Sequence, residues 1–138
     1  MSAAVRDTRR WTQIARVRDV RVRRCRAALV EAQQTAEAAH AEVEARRALG
    51  ERHAAQWPQL LARCGHDSPD AAVWRDALAQ HGLHGVQLSA AVAAAEATLA
   101  AAQAELHRAR VALQREMRAH EQAQTRVRDI ASRSRDDG

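Results

Sequence analysis

Leu99, Leu106 and Leu113 recur every seven residues, and Ala95, Ala102 and Ala109 recur at the same interval between them. Alternating steps of four and three put all six side chains on one stripe of a helix, the pattern of a coiled-coil seam. Extended both ways, the stripe runs through Leu88, Val92, Glu116, His120, Ala123, Val127 and Ile130. The spacing predicts a long helix from about residue 86 to about residue 133. A second stripe runs Trp11, Ala15, Arg18, Val22, Cys25, Leu29, Ala32, Ala36, Ala39, Val43, Arg46, Gly50, His53 and Trp57, predicting a helix from about 5 to 56. Every position from Val22 to Val43 is apolar, while Arg18, Arg46 and His53 interrupt the ends. Alternating Leu and Ala layers let two helices approach near the short end of the roughly 8–10 Å range. They also bury little area per turn, so the pair is expected to gain stability from a partner.

Composition excludes the main competitors. The chain of 138 residues has 34 Ala, 22 Arg and no Lys, Phe or Tyr, and more than half of its apolar 46% is Ala. Sandwiches, barrels and doubly wound sheets need a larger supply of bulky hydrophobes, because buried area sets their driving force. High Ala, Arg and Glu with few Gly and Pro suit long helices instead.

The middle is punctuated. Pro58 is expected to end or kink the first helix near Trp57, and Gly65 to cap the PQLLARC segment after it. Ser68-Pro69-Asp70 reads as an N-cap, a proline at the first helical position and an acid in the first turn. A short helix over Pro69–Gln80 is then expected, broken by His81-Gly82 and Gly85. The resulting architecture is all-α: an antiparallel two-helix coiled-coil hairpin, with a connector over 57–85 at its tip, forming one elongated domain over 1–138. A monomeric hairpin is expected.

Net charge is +5 and uneven. Residues 1–26 carry +7, residues 27–104 carry −4 and residues 105–138 carry +2. An antiparallel hairpin sets the two basic ends side by side. Cys25 and Cys64 are too far apart on one helix to pair, roughly 58 Å at about 1.5 Å per residue, which fits a reducing compartment. The start shows no apolar signal-like core, and no run approaches the roughly 20 apolar residues that cross a bilayer. A cytoplasmic protein without membrane insertion is therefore expected.

Residues 5–26 hold Arg6, Arg9, Arg10, Arg16, Arg18, Arg21, Arg23, Arg24 and Arg26. Such a belt suits a solvated surface or a docking face for an acidic partner. Val20 lies nine residues before Leu29, about 180° around the helix, and Ile14 and Val17 also lean off the seam. β-Branched residues inside an arginine belt favour docking. Cys64, His66, His81 and His84 are zinc-ligand types, but their spacing is loose and no metal site is assigned. No phosphate loop, nucleophile elbow or convincing acid pair is present, so no catalytic residue, enzyme activity or cofactor is expected. Arginine binds phosphate well, but no nucleic-acid motif accompanies it.

The stretch RWTQIARVRDVRVRRCRAALVEAQQTAEAAHAEVEARRAL, with a second long helix returning to an Arg-rich end, resembles the FliJ/YscO-type stalk proteins of type III secretion. The punctuated connector favours the virulence or plant-pathogen branch. The resemblance implies an antiparallel coiled coil similar to the shaft of rotary ATP synthases. It implies a non-enzymatic stalk linking the hexameric secretion ATPase to the export gate, with export chaperones as further partners and a place at the inner membrane through the apparatus. Arg9, Arg10, Arg16, Arg23 and Arg24, with Val17 and Val20, would make the contacts. Val22, Leu29, Val43, Leu99, Leu106, Leu113 and Val127 would form the seam. The alternative is a basic coiled-coil scaffold or a non-specific nucleic-acid binder.

Overall fold

A computed structural model describes residues 2–65 and 69–137. Ser68 and His66, expected as an N-cap and a connector ligand type, lie outside the described residues. The remainder is all-α: α1 (Ala3–Ala54), α2 (Trp57–Cys64) and α3 (Ala71–Asp136), with no strand among the described residues. The two long helices pack as a helical hairpin.

Local chemistry sets the boundaries. The Val5 amide donates to Ser2 Oγ at 3.3 Å, and the Arg6 amide donates to the Ser2 carbonyl. Ser2 thus caps α1, which starts two residues before the expected 5. At the other end the proline ring of Pro58 is incompatible with a continuing helix, because it would meet the Ala54 carbonyl. The Gln56 amide tightens to the His53 carbonyl at 3.1 Å, and Pro58 then opens α2. Gly65 caps α2 in an ordinary right-handed conformation, its amide donating to Ala62. The Trp74 amide donates to the Asp70 carbonyl at the start of α3.

The expected short connector helix is not separate. Pro69 precedes α3, and residues 71–80 form its first turns. The helix runs through His81, Gly82 and Gly85 without interruption for 66 residues. Glycine in a helix costs about 1 kcal/mol relative to Ala, a weakening and not a stop. A Cβ at Gly85 would make ordinary van der Waals contact with the His53 ring, its Nε2 at 3.5 Å, so the position has room for a small side chain.

Contacts divide the chain into two compact units. Unit 1 joins residues 1–34 to residues 104–138, and unit 2 comprises residues 35–103. In unit 1, Val22 and Ala123 are buried, flanked by half-buried Trp11, Cys25, Leu29, Leu106, Leu113 and Val127. Arg18 and Glu116, the charged interruptions of the two stripes, meet across the helices at 3.4 Å. In unit 2, Ala39, Val43, Ala71, Ala95 and Ala102 are buried, with Leu88, Val92 and Leu99 half-buried. Arg47 bridges to Glu96 at 3.0 Å and to Glu44 at 3.2 Å. The Glu96 hydrogen bond raises the Arg47 guanidinium above its usual range; desolvation opposes this, and the charges of Glu96 and Glu44 add to the rise.

Among the described residues, five of the seven buried apolar residues are Ala, so each turn removes little area from water. Among the described residues, α3 includes an 18-residue window of mean hydropathy 1.3, long and apolar enough by composition alone to cross a membrane, and 11% of that window is buried.

Candidate partner-docking surface

Unit 1 concentrates the charge. It holds seventeen Arg against nine Asp and Glu, a net +8, while unit 2 is net −3. The cause is the pairing of the chain's two basic end segments in one unit.

All seven of the proposed contact residues are exposed on α1 within unit 1. Val17 and Val20 are 46% and 45% exposed, in the midst of exposed Arg9, Arg10, Arg16, Arg23 and Arg24. Arg23 is partly neutralised by Asp19 at 2.8 Å, one turn away. Arg9, Arg10, Arg16 and Arg24 have no ion pair among the described residues. Exposed arginines therefore keep their charge and their donors for a partner, and the valines add area that water solvates poorly.

Beside this ridge lies a groove of about 670 Å³ between α1 and α3. Thr12, Ala15, Arg16, Asp19 and Val20 form one wall, and His120, Gln124, Val127 and Arg128 form the other. The sequence reading found Arg16 and Val20 but missed the α3 wall. The signal that would have found it is the pair of opposite-sign interruptions, Arg18 in one stripe and Glu116 in the other. Set opposite each other, they fix the register of unit 1 and bring residues near 120–128 beside residues near 12–20.

The other face of unit 1 is occupied by its own contacts. Arg126 lies over the Trp11 ring at 5.6 Å, and Glu121 and Asp129 line that side together with Arg18 and Arg118. Its charges are mixed, whereas the first groove has one acid, already bonded to Arg23.

Unit 2 carries a different constellation. The imidazoles of His53 and His81 stack at 3.7 Å with an interplanar angle of 12°. Each Nε2 donates to the other residue's backbone carbonyl, at 2.8 and 2.7 Å. His84 meets His53 edge-on at 4.8 Å, and Trp57 lies 5.7 Å from the His81 ring. This reciprocal clasp ties the end of α1 to α3. The zinc-type set of the sequence is thereby redistributed: His81 and His84 turn to His53, and no group of three or more ligand types could hold a metal among the described residues. Arg63 lies over Trp74 at 4.5 Å, and Trp57 stays 42% exposed. Leu61, Val73, Leu83 and Val86 are also more than half exposed.

The seam residues divide by burial. Val22 and Val43 are 4% and 1% exposed, while Leu29, Leu99, Leu106, Leu113 and Val127 are half-buried. Val127 also faces the groove, so it serves both the helix pair and the candidate surface. No protein-family model, curated protein or solved structure matches this chain.

Proposed function

We propose that this chain is a non-enzymatic coiled-coil adaptor that docks through unit 1, and that its partner is a type III secretion ATPase. The observation that supports this reading most is the exposed arginine ridge of α1. Arg9, Arg10, Arg16 and Arg24 lack internal counter-ions among the described residues and surround exposed Val17 and Val20. An interface of that composition gains affinity from apolar contact and direction from charge. The Ala-rich packing within each unit also suits a chain that completes its burial on a partner. The resemblance to FliJ/YscO-type stalk proteins supplies the identity of that partner.

In this reading a monomeric hairpin acts as a cytoplasmic stalk, peripheral to the inner membrane through the apparatus. It links the ATPase hexamer to the export gate and receives export chaperones. Its work is mechanical: one asymmetric chain biases the states of six subunits through differential contacts. Hydrolysis belongs to the ATPase.

The triple substitution Arg16→Glu, Arg23→Glu and Arg24→Glu tests the reading. It should lower binding and stimulation of the secretion ATPase at least tenfold while leaving helicity by circular dichroism intact. Unchanged binding and stimulation would contradict it. The arginine ridge also supports the second reading, a phosphate-binding scaffold. Tight duplex DNA binding that collapses between 50 and about 200 mM salt, without ATPase binding, would favour that reading.

A further inference from the structure

We propose that the groove between residues 12–20 of α1 and residues 120–128 of α3 seats one acidic amphipathic helix of a partner protein, as a third helix on unit 1. The proposal rests on the reading of unit 1 as the docking end and names what docks there.

The groove has a lining and rims of different chemistry. Ala15 and Val20 from one wall and Val127 from the other give the groove its apolar lining. Arg16 and Arg128 stand on opposite helices, so cationic donors flank that lining from both sides. Neither has an ion pair among the described residues, and His120 adds a further basic group. The single acid in the lining, Asp19, is bonded to Arg23 at 2.8 Å. The groove therefore has positive rims without an internal counter-ion among the described residues.

Its dimensions suit a helix. Nine residues of α1 span roughly 12 Å at about 1.5 Å per residue, a little over two turns. A helix laid along that length presents apolar residues at i, i+3, i+4 and i+7 to the apolar lining. Carboxylates flanking that stripe reach Arg16 on one side and Arg128 on the other, as flanking charges do beside a coiled-coil seam. The Trp11 face of unit 1 does not offer this, because Glu121 and Asp129 mix carboxylates into its lining. A nucleic acid would use the arginines but leave Val20 and Val127 without a role.

The probes are two designed helical peptides with the same Leu stripe, one flanked by Glu and one by Lys, and a 20-base-pair DNA duplex. Binding to the full chain is read by fluorescence anisotropy at moderate salt. The acidic peptide should bind at least tenfold more tightly than the basic one. Arg16→Glu with Arg128→Glu should weaken it at least tenfold, and Val20→Asp at least fivefold, each with unchanged helicity. All three side chains are exposed, so these variants retain the helix pair. Equal binding of both peptides, binding of neither, or full retention by Val20→Asp would overturn the proposal. So would DNA that displaces the acidic peptide and ignores Val20→Asp, since that marks a phosphate site. The peptides carry no secretion-apparatus sequence, so this result is independent of the ATPase measurement: loss of ATPase binding in the ridge variant alongside failure of the peptides would retain the docking reading and remove only the third helix.

Discussion

Units 1 and 2 are built from the same two long helices, yet they differ in what they leave outside. Unit 1 is net +8, and Arg9, Arg10, Arg16 and Arg24, near exposed Val17 and Val20, have no ion pair among the described residues. Unit 2 is net −3, buries mostly Ala, and joins its helices by the His53–His81 clasp and the Arg47–Glu96 pair. The inner stripes are alike: small and branched aliphatic residues at steps of four and three. In the proposed reading, holding the helices together and recognising a partner are separable tasks: the inner stripe of both units serves the first, and the outer face of unit 1 is assigned the second.

Substituting one buried and one exposed valine tests that separation most severely. Val43 in unit 2 is 1% exposed, so Val43→Asp buries a carboxylate with no partner, at a cost of several kcal/mol. Against a typical total stability of about 5–15 kcal/mol, thermal unfolding should move down by well over 10 °C. Val20→Asp in unit 1 falls on a surface position and should shift stability by no more than about 0.5 kcal/mol. Circular dichroism melts that shifted equally for the two would erase the distinction between inner and outer stripes.

A smaller effect sharpens the account of unit 2. A Cβ at Gly82 would meet nothing within 4 Å, so Gly82→Ala should stabilise the helix by about 1 kcal/mol. Urea titration would show a higher midpoint with an unchanged slope. A loss of stability would instead mean that the chain uses the glycine as a helix break, the role its sequence position predicts.

That glycine shows where sequence reading stopped. The periodicity of the stripes was legible because helical geometry is local: burial at Val22, Ala39, Val43, Ala95, Ala102 and Ala123 follows the four-and-three steps. Pro58 was legible for the same reason, since its ring acts on the residues just before it. His81-Gly82 and Gly85 read as a break because local propensity weighs against helix there. The compensating terms are tertiary: the two His53–His81 hydrogen bonds join residues 28 positions apart. The exposed half of the candidate surface on α1 was legible from the angle of Val20 to the seam. Its α3 half, His120, Gln124, Val127 and Arg128, depends on the register between helices, which one helix's pattern does not contain.

Hydrogen exchange of the full chain, alone and with the secretion ATPase, reads docking through unit 1 residue by residue. Added protection is expected over residues 9–24 and 120–128, with residues 39–102 unchanged. Protection gained in unit 2, with none over the arginine ridge and the groove of unit 1, would contradict it.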